Sequence, residues 1–461
     1  MFILKSETYK KGIIYSSLFN VGGKSVAFIQ QWLIGYYFGT HSDTDVFFFT
    51  YNIILFLSYF FLNFTTSVLI PEGMKIRNQE SDEKSKLFLN SYILTYGLIG
   101  ILLAIIALLD PIRIFSIISS FPDNVITDNL ALITWCLPLI FLNITVSIMT
   151  EVLASYKYFT APNLVTFINY TLGILFIVFF HNSLGINVIA IGLIAGYILN
   201  FFIVIHFMHK ALHWKFIHIS DFRIKQVFGS GIYSQAGYIV YLIALYVPQY
   251  IFSQLPAGSL TAINFADKLL SIPSIFLVAQ ITNVMGIKIN QLTALHSFSE
   301  LSKLTKELTL WTTSGLFIAA LLISALSFPI IQLLFSWGNY NPDMMSITAR
   351  ILSTMIFYLP FSFLFGIYIK IFNASAKQNK VFYLQIVTQG VTLALYFYLI
   401  PKFGIYIYPA SRIIPYILAT VIATAMLKST LKEMKMFRLL IFHLILTLAT
   451  LTILCFDWMT H

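Results

Sequence analysis

Apolar residues run through this chain in long stretches separated by short polar breaks. Each stretch is close to the roughly 20 residues that carry a helix across a bilayer core. They fall at 13–37, 46–70, 87–109, 129–153, 162–181, 185–208, 228–254, 259–286, 308–335, 347–373, 381–400, 405–427 and 438–456. The pattern predicts an all-α, polytopic membrane protein of about 13 transmembrane helices. The first stretch is longer than a signal-peptide core and lacks a small-residue cleavage site, so it reads as a membrane helix.

The pattern also repeats. Phe115 to Pro122 and Pro122 to Lys157 have the same separations as Phe335 to Pro342 and Pro342 to Lys377, and Gly185 and Gly404 each open the last helix of a half. Six spans make one unit, an even number, so both copies enter from the same side and the repeat is parallel. This predicts an N-terminal six-helix lobe (1–210), an amphipathic cytoplasmic linker (211–225), a C-terminal six-helix lobe (226–430) and an extra C-terminal helix (431–461). The stretch from Lys210 to Lys225 is basic and aromatic, as in a helix lying on anionic lipid headgroups. Its histidines His209, His213 and His218 lack the acidic or cysteine partners of a metal site.

Composition agrees: 58% of residues are hydrophobic and 10% charged, against roughly 25% charged in soluble domains. A net charge of +10 would suggest nucleic acid in a soluble protein, but here the charges sort by side of the membrane. With the N-terminus in the cytoplasm, the inner loops hold Lys75, Arg77, Lys84, Lys86, Lys157, Lys210, Lys288, Lys377 and Lys432, whereas the outer loops hold only Arg113 and Lys402. That is the positive-inside rule. An odd last span leaves the C-terminus outside. Cys136 and Cys455 lie in apolar stretches and read as packing residues.

Five basic residues remain within spans: Lys24, Lys268, Lys370, Arg412 and, near an outer end, Arg350. Only Asp267, Glu151 and the span-end Asp45 oppose them. A bare cation in hydrocarbon costs a few kcal/mol or more, so such residues face water or a partner. A positive balance suits an anionic cargo such as a lipid pyrophosphate and repels a cationic drug. Lys24 lies mid-span beside Gly22 and Gly23, which permit close helix approach, and Gln30 and Gln31 follow it. A second reading stays open: Asp267 and Lys268 pair with each other, Lys370 and Arg350 snorkel to the interfaces, and Arg412 takes carbonyls freed by Pro409 and Pro415. No nucleophile–acid–base constellation and no glycine-rich phosphate loop occurs, so a transporter is expected rather than an enzyme.

Phe38-Gly39, then Thr44-Asp45-Val46-Phe47-Phe48, with Ile70-Pro71 closing the same helix, resembles the opening of the MviN/MurJ family of lipid II flippases. Leu255 to Leu260, Asn264 to Leu269 and Ile272-Pro273 resemble that family's eighth-helix signature, and the stretch from Leu334 to Asn379 is similar too. The resemblance covers most of the chain to about residue 427. It implies the multidrug/oligosaccharidyl-lipid/polysaccharide superfamily fold, two lobes in a V open alternately inward and outward. The implied cargo is an undecaprenyl-pyrophosphate-linked glycan, moved from the cytoplasmic to the outer leaflet. By matching position, Lys24 stands at a first-helix arginine of the family, Lys268 at the eighth-helix arginine and Asp45 at an acidic residue. The expected cavity set is Lys24, Lys268, Arg412, Asp45, Asp267, Gln31 and Lys370.

Three departures bear on the cargo. Gln30 and Gln31 stand where the family shows an Arg-Asp pair, no arginine stands in the middle of the second helix, and there is one span fewer than in the family. O-antigen, capsule or exopolysaccharide repeat units therefore remain alternatives to lipid II. An ion-coupled multidrug exporter of the same superfamily would call for a dominant buried carboxylate in the first half, where only Asp45 and Glu151 are found. No cofactor is expected beyond a coupling ion or the membrane potential. The expected partners are a lipid-linked anionic glycan, membrane lipids and polysaccharide or cell-wall synthesis proteins, with no nucleic acid, and the expected site is the bacterial cytoplasmic (inner) membrane.

Overall fold

Long runs of unbroken apolar sequence leave the backbone only itself to bond with, and helices result wherever the chain is described. The computed structural model describes residues 9–216, 222–375, 377–427 and 436–459. Every span expected from the sequence lies on a helical run. Among the described residues nine runs are long and apolar enough to cross a membrane, and one of them, Asn379–Leu427, holds two expected spans. The chain is a polytopic all-α membrane protein. Its outward side chains along these runs, such as Phe179, Phe202, Leu322 and Leu333, are exposed and apolar, as lipid contact requires.

The chain forms two compact units, Met1–Leu260 with Gly338–Tyr340, and Thr261–Trp337 with Asn341–His461. The first unit contains α1 (Tyr9–Phe38), α2 (Ser42–Phe64), α3 (Ile70–Gln79), α4 (Asp82–Leu109), α5 (Pro111–Ile118), α6 (Asp123–Asp128), α7 (Leu130–Cys136), α8 (Pro138–Ser155), α9 (Ala161–Leu184), α10 (Asn187–Leu212) and α11 (Ile224–Phe252). The second is built from α12 (Ser259–Pro273), whose first turn belongs to the first unit, and α13 (Gln280–Ala294), α14 (Phe298–Glu307), α15 (Thr313–Phe335), α16 (Pro342–Met355), α17 (Tyr358–Ala374), α18 (Gln378–Phe403), α19 (Tyr408–Leu427) and α20 (Met436–Met459).

Local chemistry sets the breaks. Ser81 accepts the Lys84 N–H at 3.2 Å and Asp110 the Arg113 N–H at 3.1 Å, opening α4 and α5; Asn341 accepts the Asp343 N–H at 2.8 Å before α16. These are N-caps in the ordinary sense. Positive φ angles fall on four glycines, Gly39, Gly185, Gly258 and Gly404. Gly39 to Gly185 is the same separation as Gly258 to Gly404, so the repeat returns as backbone conformation. Gly185 and Gly404 end α9 and α18. Within the spans hydroxyls bond back to their own helix, as Thr50 does to Val46 and Ser58 to Ile54. No side-chain hydroxyl of that kind needs a lipid partner.

Ile70-Pro71 does not close its helix. Thr65–Leu69 widens into a π turn and the run continues through α3 to Gln79. An extra residue in the turn relieves the clash of the Pro71 ring with a preceding carbonyl.

The basic linker also departs from expectation. His213 takes a left-handed conformation that ends α10, and the Trp214 N–H turns back to the Met208 carbonyl at 3.1 Å. The Trp214 ring is buried, with Nε1–H donating to Asn90 Oδ1 at 3.0 Å, and the Tyr92 hydroxyl donates to the Phe222 carbonyl at 2.6 Å. The described part of the linker is thus stitched to α4 instead of lying as an interfacial helix, because a buried indole N–H needs its partner. Residues 217–221, His218 among them, lie outside the described residues, as does the side chain of Cys455; Cys136 is fully buried.

Each half has a short loop docked at the C-terminal end of a first helix. The Ser120 N–H donates to Ser253 Oγ at 2.8 Å, beyond α11, and the Tyr246 hydroxyl of α11 donates to the Ile118 carbonyl at 2.7 Å. In the other half the Asn339 N–H donates to the Tyr36 carbonyl at 2.9 Å and its Nδ2 to the Tyr37 carbonyl at 2.8 Å, at the end of α1. Ser120 and Asn339 stand apart by the same interval as Gly39 and Gly258. The segment Gly338–Tyr340 is therefore part of the first unit although its sequence neighbours are not.

Candidate functional site

In the first unit the site begins with the glycines beside Lys24. Their missing side chains let α1 approach α9: a Cβ on Gly22 would meet the Phe167 ring at 3.7 Å, and one on Gly23 would meet Thr166 Cγ2 at 3.4 Å. Lys24 is exposed within this setting. It stands on α1 next to the two glycines at which that helix packs on α9. Among the described residues no carboxylate pairs with it. Gln31 is half-buried. Gln30 is buried against Gly173 of α9, where a Cβ would fall 1.9 Å from its Nε2, so it serves helix packing.

Asp45 has a structural task. It is 3% exposed and its Oδ2 accepts the Gly258 N–H at 2.7 Å. Gly258 has a φ of 91°, a conformation that glycine takes at little cost. A buried carboxylate is stabilised by such charge-assisted bonds, so Asp45 fixes the turn ahead of α12.

In the second unit Asp267 of α12 pairs with Arg412 of α19, not with its neighbour Lys268. Consecutive side chains leave a helix in different directions, so they do not face each other. The Tyr408 hydroxyl donates to Asp267 Oδ2 at 2.6 Å and accepts from Arg412 Nη1 at 3.0 Å. The Tyr358 ring lies 5.4 Å from the guanidinium centre, and Tyr408 stacks on Tyr396 with centroids 6.2 Å apart. Arg412 thus finds a carboxylate and a phenol where proline-freed carbonyls were the alternative. The charge of this group is balanced.

Lys268 is half-buried, and among the described residues it has no ion pair. Lys370 lies with its stem over Gly286 of α13, where a Cβ would stand 3.2 Å from its Cδ. It is half-buried along that stem, as a snorkelling lysine is. Arg350 lies over the Tyr406 ring at 4.6 Å. The cations therefore separate into two kinds. Arg412 is paired with a carboxylate and Arg350 stands on an aromatic face, whereas Lys24 and Lys268 have no carboxylate partner among the described residues.

Sequence reasoning did not find Tyr408 or Tyr358. Only Tyr408 left a signal, at the i, i+4 spacing to Arg412 that puts two side chains on one helix face.

Comparison with known proteins gives a consistent result. A family model described as lipid II flippase MurJ matches residues 34–460. A probable lipid II flippase MurJ of Buchnera aphidicola subsp. Acyrthosiphon pisum is 27% identical over 366 residues, 74% of this chain and 68% of the relative. One of Aquifex aeolicus is 23% identical over 418 residues, 88% of this chain and 79% of the relative. Among solved structures, a lipid II flippase MurJ in an inward closed conformation aligns with a TM-score of 0.77 at 19% identity, covering 95% of this chain and 93% of the other. That likeness concerns the fold.

Proposed function

Since this chain belongs to the lipid II flippase MurJ family, we propose that it flips lipid II, an undecaprenyl-pyrophosphate-linked glycan, from the cytoplasmic to the outer leaflet of the bacterial inner membrane. The N-terminus lies in the cytoplasm in this reading, and the protein is a transporter without catalytic chemistry. The observation that carries it is the pair of intramembrane lysines, Lys24 and Lys268, that no carboxylate of the described residues neutralises.

A cation held in a membrane span without a protein partner is costly. A pyrophosphate removes that cost, offering several acceptor oxygens to ammonium groups. Lys24 in the first unit and Lys268 in the second each offer an ammonium to phosphate oxygens, and the prenyl tail stays in lipid throughout. Arg412 is already neutralised by Asp267 and contributes position rather than free charge. Alternating access of the two halves exposes the bound headgroup to one side and then the other. A ligand shifts such an equilibrium only through its different affinity for the two states, so the lysine contacts must differ between them. The membrane potential or a coupling ion sets the direction. Polysaccharide or cell-wall synthesis proteins supply the cargo on one side and consume it on the other.

The test is translocation of a fluorescent lipid II analogue in proteoliposomes, with Lys24→Ala and Lys268→Ala beside the wild type and folding checked by thermal unfolding. The wild type is expected to move the lipid and each variant to lose at least tenfold in rate, the equivalent of about 1.4 kcal/mol. Movement by all three proteins alike overturns the lysine assignment, and no movement by any overturns the cargo.

A further inference from the structure

One face of α19 carries Tyr408, Arg412 and Tyr416 at intervals of four residues, the spacing that puts side chains one above another on a helix. Tyr358, the first residue of α17, closes on this row. Its ring meets the Tyr416 ring edge-on with centroids 4.7 Å apart and lies 5.4 Å from the Arg412 guanidinium carbon. Phe365 of α17 backs Tyr416 with centroids 5.2 Å apart. Asp267 of α12 completes the group through its pair with Arg412 and the hydrogen bond from Tyr408. All of these residues belong to the second unit.

Part of the group's hydrogen-bonding capacity is unused. A guanidinium carries five N–H donors. Arg412 uses only Nη1, toward Asp267 Oδ1 and the Tyr408 hydroxyl, and among the described residues Nε and Nη2 have no hydrogen-bond partner. The Tyr416 hydroxyl has none among them either. These atoms are not sealed in. The Arg412 and Asp267 side chains are 30% and 32% exposed, and Tyr358 and Tyr416 are half-buried, with Tyr408 buried behind them. The group stands in helical runs long and apolar enough to cross a membrane, where hydrocarbon offers such donors nothing to bond with. Packing on Phe365 would be served by phenylalanine, which this chain uses more freely, 44 times against 26 for tyrosine. An open fork of donors beside an unpaired phenol and an aromatic ring is matched by a ligand that brings oxygen acceptors.

The local charge selects among such ligands. Asp267 already balances Arg412, and an anion brought to the fork would also face that half-open carboxylate. An uncharged ring with hydroxyl and amide oxygens meets no such repulsion. Its oxygens accept from Nε, Nη2 and the Tyr416 hydroxyl, its own hydroxyls donate to the remaining lone pairs of Asp267, and its C–H surface packs on the Tyr358 ring.

We infer that Arg412, Asp267, Tyr358 and Tyr416 form a subsite for an uncharged sugar ring of the cargo. This rests on the lipid-linked glycan reading above and adds to it a means of telling the glycan from the lipid phosphate that carries it. Lys268 follows Asp267 on α12, so a phosphate at Lys268 and a sugar at this group suit consecutive parts of one ligand. A site built to hydrogen-bond a ligand's polar groups leaves its own unpaired when they are missing, so it disfavours the bare lipid.

The experiment uses the full chain in lipid nanodiscs and two probes, undecaprenyl pyrophosphate and the same lipid carrying a disaccharide. Equilibrium binding is measured for the wild type, Arg412→Lys, Tyr416→Phe and the double variant, with melting temperatures as a check on folding. Arg412→Lys keeps a cation for Asp267 and removes the planar fork; Tyr416→Phe keeps the ring and removes only the hydroxyl, so it holds the test should the lysine variant fail to fold. The wild type is expected to bind the glycan lipid more tightly than the bare one. Arg412→Lys is expected to weaken the glycan lipid about tenfold and Tyr416→Phe about fivefold, the worth of one neutral hydrogen bond, each leaving the bare lipid unaffected. Folded variants that bind both lipids as the wild type does overturn the subsite. Variants that lose both lipids alike overturn it too, since the group then serves the phosphate and not the sugar. A wild type that binds the two lipids equally overturns it directly, and one that binds neither overturns the cargo reading itself.

Discussion

Asp267 is followed by a lysine and yet pairs with an arginine on another helix. Adjacent residues on a helix point about 100° apart, so the sequence neighbour was the less accessible partner, and Lys268 has no ion pair among the described residues. The pair predicts a measurable coupling. Removing either partner strands the other in a membrane span, and because the two side chains are 30% and 32% exposed we expect about 1–3 kcal/mol per single change, below the figure for fully buried pairs. Arg412→Ala with Asp267→Ala should cost less than the sum of the two, by about 1 kcal/mol or more, in thermal unfolding of the purified protein; strictly additive losses would contradict the pairing. Outside the membrane, the Glu80 carboxyl is held at about 2, below its ordinary 4.5, by hydrogen bonds from Arg223 first and Lys84 second. Arg223 Nη2 donates at 3.0 Å and opens α11. A lowered folded pKa stabilises above the ordinary value and loses its effect as pH falls, so protection of the first turn of α11 against hydrogen exchange should decline between about pH 4.5 and 2. Glu80→Gln should flatten that decline, and an unchanged pH profile would show that the tie does not hold the helix.

Between elements, glycines decide where backbones touch. Gly39 has a φ of 64° and a Cβ there would stand 2.1 Å from the Asn339 carbonyl oxygen; a Cβ on Gly338 would stand 2.5 Å from the Tyr36 carbonyl oxygen. Both contacts are backbone on backbone and cannot give way by a side-chain rotation. Gly39→Ala or Gly338→Ala should therefore cost about 2 kcal/mol or more, visible as a melting-temperature drop of several degrees. Gly315 and Gly390 supply the comparison: nothing lies within 4 Å of a Cβ at either, and alanine there should be neutral or mildly stabilising, because helix-interior glycine costs about 0.5–1 kcal/mol relative to alanine. Equal effects at all four positions would remove the docked loops as the cause. The matching dock of Ser120 on Ser253 shows the repeat acting at the level of elements. The equal glycine separations were present in the sequence, but which loop meets which helix end was not, since that depends on the path of the chain between them.

For the whole molecule the charge distribution is the strongest statement the chain makes. Basic loops on one side and nearly none on the other are the ground for proposing a cytoplasmic N-terminus and, with an odd number of spans, an outside C-terminus. The last helix, α20, is anchored through His443 of α20, which is 1% exposed, with Nε2 2.9 Å from the Tyr368 hydroxyl of α17. A reporter fused after His461 should respond to outside reagents and one before Met1 should not; a C-terminal reporter protected from outside would reduce the crossings by one. The sequence by itself determined the fold class and the surplus of cations within the apolar stretches, because hydrophobicity and charge are properties of local stretches in a solvent that admits few backbone solutions. It also carried the family through short motifs around Asp45 and Asp267. Only the tertiary structure decided that Arg412 is the cation paired with Asp267 and that Asp45 braces the Gly258 turn. Those facts depend on which atoms meet through space, and partners contributed by separate helices leave no periodicity in the chain for a reader to detect.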